Sequence, residues 1–206
     1  MLPDSVAVDT PGGRVHVEWD PQAPLTPMGQ LVFFTQFLKT AELYEPWAAE
    51  CPLRYTSPNA PAVGDVLGTS FLSILAGHHR YAHVTALRHD TVNPPLLRMS
   101  KVVSEDSLRR AFEEESPEGM ELWQRKHLQL SYQPLLYEPW ILDVDTTIKT
   151  LYGRQEGAQV GYNPHKRGRP AHVYHTYFMG GARLVLDVEV QPGKQTAALH
   201  TQPQTS

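Results

Sequence analysis

Thiol chemistry is almost absent from this chain, whose only cysteine is Cys51. No internal disulfide can form, which fits a reducing compartment and leaves Cys51 as a small core or surface residue. There is no run of about 18 apolar residues, so no membrane span is expected. The N-terminus lacks the basic, apolar, small-residue succession of a secretory signal, and the expected location is cytoplasmic. Internal repeats, a Ser-His-Asp constellation and a phosphate-cradling glycine loop are all missing, which removes the commonest hydrolase and nucleotide-binding readings. An excess of positive charge is missing too. Lys and Arg number 18 against 22 Asp and Glu, a net charge of −4, and that balance alone argues against a nucleic-acid binder.

Hydrophobic residues make up 41% of the 206 positions, enough to bury a core in one domain or two small ones. The 18 prolines divide the chain into short elements. Charge is unevenly spread. Residues 1–60 carry 3 basic and 7 acidic side chains, whereas Lys149, Arg154, Lys166, Arg167 and Arg169 face a single nearby acid, Glu156. A local basic loop of this kind can matter more than the total.

The pattern predicts an α+β chain. A hairpin is expected over residues 6–19, turning at Pro11–Gly13. After a Pro-rich link at Pro21–Pro27, Thr26 reads as an N-cap with Pro27 at the first helical position, for a helix through Leu31, Phe34 and Leu38 towards Pro46. A second Pro-rich link covers residues 51–62. Residues 63–89 read as helical, broken near Gly77. Asn93-Pro94-Pro95 reads as a loop. Ser104 should cap a short helix with acids in its first turn, and Ser116-Pro117 should start another, with Leu122, Trp123, His127 and Leu130 on one side. From Trp140 the periodicity becomes strand-like, with strands at about 140–152, 173–179 and 183–190, the last two joined by Gly180-Gly181. Three consecutive strands should form an antiparallel meander. The corresponding segments are residues 1–60, a hairpin and helix; 61–135, a helical region; 136–195, the sheet; and 196–206, a polar tail expected to fray.

The first of these strands carries the chemistry. In Leu142-Asp143-Val144-Asp145-Thr146-Thr147-Ile148, alternation puts Asp143 and Asp145 on one face and Leu142, Val144 and Ile148 on the other. Two carboxylates in an apolar strand are costly to bury uncompensated. A hard divalent cation, Mg²⁺ or Mn²⁺, would compensate them through oxygen ligation. A solvated or capping carboxylate is the plainer alternative for each.

Further residues strengthen a specific comparison. Leu142-Asp143-Val144-Asp145-Thr146-Thr147, Tyr152-Gly153-Arg154-Gln155-Glu156-Gly157-Ala158, the run from Gly161 to Pro170, and Val190-Gln191-Pro192-Gly193 together resemble the DDE transposases of bacterial insertion sequences with an IS4-like catalytic domain. Leu75-Ala76-Gly77, Leu87-Arg88-His89-Asp90 and Ser104–Arg110 look like the helical N-terminal region of that family. The resemblance spans roughly residues 60–195. It implies a ribonuclease-H-like fold whose first strand bears the first metal-binding Asp. Asp145, followed by Thr146 and Thr147, fits that role best, and Asp143 is second. The family chemistry uses two metals about 3.5–4 Å apart, held by three acids. The second Asp and the Glu cannot be matched here, since Asp187 and Glu189 lie on the third strand. The expectation is therefore an inactive N-terminal portion of a DNA-transposing enzyme. Its expected partners are transposon-end DNA and a full-length transposase. The alternative is a non-catalytic DNA-binding or interaction remnant.

By the same resemblance Lys166, Arg167 and Arg169 become candidates for phosphate contact; a solvated loop is the plainer reading. His79 and His83, spaced i, i+4, invite a metal, but helix surface or packing explains them better. Arg109-Arg110 on the Ser104–Phe112 helix is surrounded by acids, which favours a packed helix over a groove reader. Trp123, Trp140 and Tyr137 are expected in the core.

Overall fold

In a computed structural model the described residues are 5–18, 26, 28–55, 57–137 and 139–195. They form two compact units, Met1–His127 and Leu128–Ser206, and the division falls within one helix. The class is α+β, as the patterning implies. The link at residues 19–25, Pro27 and the 196–206 tail lie outside the described residues.

The first unit opens with the expected hairpin, β1 (Ser5–Thr10) against β2 (Gly13–Glu18). Helix α1 (Leu31–Thr40) begins later than the Thr26 signal suggested. The Thr26 hydroxyl does accept a hydrogen bond from the Met28 amide at 3.2 Å, but what it caps is a turn preceding the helix. Leu31, Val32, Thr35 and Leu38 form the buried stripe of α1, while Phe34 faces outward and is 37% exposed. The chain then turns at Glu42 (φ 53) into α2 (Tyr44–Ala49), so Pro46 sits in a helix's first turn, where its missing N–H costs nothing.

Helix α3 (Val63–Leu75) stops where the sequence said it would. Gly77 adopts φ +74, its N–H donates to Ile74 O at 2.9 Å, and the His78 N–H donates to Ser73 O at 3.0 Å, a Schellman closure. The following segment, Tyr81–His89, is a 3-10 helix rather than an α-helix. Its apolar residues Tyr81, Val84 and Leu87 are spaced by three, the repeat that aligns side chains in a 3-10 helix, and Val84 and Leu87 are buried. Asn93–Leu96, expected as a loop, closes one helical turn, α4. In α5 (Glu105–Glu113) the cap is as read, Ser104 Oγ accepting from the Ser107 amide at 3.1 Å. Helix α6 spans Pro117–Tyr132. Trp123 and His127 are buried on it, but Leu122 (68% exposed) and Leu130 (49%) are not on that side.

The described residues before Pro61 share their cores with those that follow. Cys51 and Leu53 share one core with Val66, Val84, Leu108 and Trp123, and Leu31, Leu38 and Tyr44 share another with Leu72, Leu87 and Met99. The Trp123 indole N–H donates to Trp47 O at 2.8 Å, and the two indoles stack at 4.9 Å. Asp65, buried in α3, accepts from the Ser100 amide at 2.7 Å and from the Ser100 hydroxyl at 2.5 Å, and Thr69 accepts from the Val103 amide at 3.0 Å. These bonds tie the 100–103 segment to the helix.

The second unit is built on a sheet of β3 (Leu142–Thr150), β4 (Gln159–Val160), β5 (Pro170–Met179) and β6 (Leu184–Pro192). All pairings are antiparallel. β5 is central, with β3 along one edge; β6, and β4 beyond its end, lie along the other. The three long strands form the meander the sequence predicted. Alternate residues of β5, namely Ala171, Val173, His175 and Met179, are buried. Tyr137 (77% exposed) and Trp140 (40%) lie on the surface of this unit, contrary to their expected core roles.

Candidate functional site

Asp143 and Asp145 lie on one face of β3, opposite Phe178 and Thr176 of β5. Lys149, opposite His172, completes that row. Both carboxylates are exposed, so the desolvation argument for a compensating cation does not hold in this fold. The reason is that β3 is uncovered on both faces: Leu142 is 50% and Val144 55% exposed on the other side. Two residues apart on a strand, the carboxylates start from Cα atoms about 6.6 Å apart, a span that one hydrated ion can bridge. Asp145 Oδ2 accepts from the Thr147 hydroxyl at 3.2 Å. Asp143 sits against the β5–β6 turn, where a Cβ on Gly180 would come within 2.7 Å of its Oδ2. Among the described residues no set of three or more His, Cys, Asp or Glu side chains is placed to hold a metal. Asp187 and Glu189 pair with Tyr177 and His175, which pair in turn with Val144 and Thr146, so they belong to the opposite face from Asp145.

The basic loop between β4 and β5 is organised by a residue that sequence reading passed over as part of a turn, Asn163. It is 3% exposed. Its Oδ1 accepts from the amides of His165 (3.1 Å) and Lys166 (3.0 Å), and its Nδ2 donates to Thr150 Oγ1 at 3.0 Å. An Asx turn is thereby pinned to the end of β3. The Arg169 amide closes onto Lys166 O at 3.2 Å, with Gly168 at φ +76. Lys166, Arg167 and Arg169 all remain exposed. The Lys166 ammonium lies 5.2 Å and the Arg169 guanidinium 5.7 Å from the centroid of the Tyr152 ring, itself 67% exposed. Tyr162, 78% exposed, projects from the same loop. The Asn-Pro pair at Asn163-Pro164 was the available signal for such a turn.

A second missed residue is His175, buried at the centre of β5 with Nδ1 at 3.1 Å from Thr146 Oγ1. Nearby on the strand, His172 Nε2 donates to Glu156 O at 2.7 Å and fixes the turn at Gly157 (φ +69).

The remaining candidates resolve to structural roles. His79 and His83 do not share a helix, because the chain breaks between them. His78 Nδ1 lies 3.1 Å from Ser73 Oγ. Partial burial, with His83 and His79 nearby, lowers its pKa and favours the neutral ring. Arg109 pairs with Asp106 (2.6 Å) and Glu113 (2.9 Å), and Arg110 pairs with Asp106, so the cations of α5 are answered on their own helix. Cys51 is buried, and burial raises its thiol pKa.

Comparisons of the chain with models of known protein families, with curated proteins and with solved structures gave no match. No helix among the described residues is long and apolar enough to cross a membrane.

Proposed function

We propose that residues 136–195 are the opening part of a ribonuclease-H-like domain of the DDE transposase type, and that the chain engages DNA through its basic loop without cutting it alone. The observation that carries this reading is the order β3–β5–β6, with two carboxylates on the first strand and an ordered cationic loop hung from that strand's end. From Asp145 to Thr150 the strand runs about 17 Å. That separation suits a duplex whose backbone is held by Lys166, Arg167 and Arg169 while another stretch approaches the carboxylates.

Asp145, with Asp143 beside it, would hold Mg²⁺ or Mn²⁺. Two exposed carboxylates suit one largely hydrated ion. They do not by themselves make the three-acid set of a two-metal centre, which is why cutting is not expected. Such an ion, when bound, activates water and stabilises a leaving oxygen. The chain's own contribution is to place the carboxylates side by side and to keep the phosphate-facing loop preorganised.

The test is a fluorescence-anisotropy titration with duplex DNA from 50 to 200 mM salt. The expected result is salt-sensitive binding. Replacing Lys166, Arg167 and Arg169 with Ala should weaken it and flatten the log–log salt slope by about 2.7, at roughly 0.9 per phosphate contact. Unchanged affinity and slope in that variant would refute the loop's role.

A further inference from the structure

We infer that the free edge of β3 is a self-complementary surface through which two copies of this chain pair, antiparallel, about a two-fold axis at Thr146. Among the described residues β3 bonds only to β5, so one entire edge of a nine-residue strand is unpaired. The ladder's phase follows from its ends. The Gly180 N–H donates to Ile141 O and the Leu151 N–H to Pro170 O, and both belong to directly opposed pairs of the β3–β5 register. Odd-numbered residues of β3 therefore turn their backbone groups inward to β5. Leu142, Val144, Thr146, Ile148 and Thr150 turn theirs outward.

A second β3 centred on Thr146 matches this edge completely. Outward residues meet outward residues: Thr146 meets its own copy, Val144 meets Ile148, and Leu142 meets Thr150. Every free N–H and C=O of the edge then has a partner. The intervening pairs are the closely spaced ones without backbone bonds, where side chains approach most nearly. There Asp143 meets Lys149 and Asp145 meets Thr147. Just outside the strand Ile141, 72% exposed, meets Leu151. Symmetry supplies every contact twice, as an isologous interface requires. Centring on Asp145 instead would set Asp145 against its own copy, and like charges opposed across a ladder repel. Centring on Thr147 would set Asp145 against Lys149 but leaves both Leu142 and Asp143 without a partner in the opposing strand. The Thr146 register alone pairs all nine residues and both Asp143–Lys149 couples.

The pairing needs neither DNA nor a metal, although it engages Asp143 and Asp145, the carboxylates that the proposed function gives to a metal. Its test is sedimentation velocity on the full chain between 1 and 100 μM. A monomer–dimer equilibrium is expected in that range. Lys149→Glu, an exposed substitution, should weaken dimerisation about tenfold by opposing two acids twice. The charge swap Asp143→Lys with Lys149→Glu should restore it. Val144→Pro removes an outward N–H without touching the β5 ladder and should also weaken pairing. Circular dichroism of each variant identifies any that fail to fold. Thr146→Cys should cross-link to itself under mild oxidation, Thr147→Cys much less, and buried Cys51 supplies little background. A monomer throughout the range would overturn the inference. So would a dimer indifferent to Lys149→Glu, since pairing would then use another surface, such as the exposed Phe33 and Phe37 of α1.

Discussion

Gly161 packs directly against Gly193: a Cβ on Gly161 would overlap the Gly193 carbonyl oxygen, and one on Gly193 would reach Ala171 O at 2.6 Å. Two glycines 32 positions apart are thus the contact that joins the start of the basic loop to the end of β6. The fold gives both a common steric reason to be glycine.

Gly161→Ala should therefore destabilise the sheet unit by about 1–3 kcal/mol, since each glycine directly follows a paired strand, β4 or β6, that limits its retreat. Thermal or urea unfolding of the variant checks this. An unchanged midpoint would mean the loop can shift away from Gly193.

Asn163→Ala should loosen the loop without altering its charge. Two backbone amides and Thr150 lose their partner, and DNA affinity should fall because the cations are no longer preorganised, while the salt slope stays near that of the parent chain. A variant that lost slope as well would show that Asn163 holds the cations themselves in contact with phosphate. Proteolysis between Tyr162 and Arg169 should accelerate in step with the affinity loss.

Asp65→Ala should cost about 2–3 kcal/mol, because the Ser100 amide and hydroxyl would be left without their acceptor inside the helical unit. Chemical denaturation is the measure. Asp65→Asn keeps one acceptor and should cost less.

Asp90 gives the helical unit an acid-sensitive joint. Burial opposes its ionisation. Hydrogen bonds from the Asn93 side chain and amide, the Val92 amide and the Thr26 hydroxyl outweigh burial and hold the carboxyl below its usual pKa. A depressed folded-state pKa stabilises the fold above the unfolded value, about 3.9, and that contribution disappears as pH falls through the folded value. Urea midpoints measured from pH 6 to pH 2.5 should decline at the acid end, and Asp90→Asn should flatten the part of the decline due to this group. A variant with the parent's full acid sensitivity would assign that decline to other carboxylates.

Local signals in this chain were strong where one residue's own chemistry decides the outcome. Ser104 caps α5, Gly77 ends α3 and Pro11–Gly13 turns the first hairpin, because each depends on dihedral preference or on a hydrogen bond within a few residues. The meander was legible for the same reason, from period-two alternation between glycine turns. What alternation cannot state is whether either face of a strand is covered. The carboxylates of β3 looked costly in the sequence and are solvated in the fold, and Trp140 and Tyr137 looked like core and are not. Nor could it show that Asn163 and Gly161, anonymous members of a turn, anchor the basic loop, since their partners Thr150 and Gly193 lie 13 and 32 positions away. The sequence by itself determined the α+β order, the local caps and turns, and the alternation that puts Asp143 and Asp145 on one face of β3. Tertiary structure decided which faces meet water, because burial depends on partners distant along the chain.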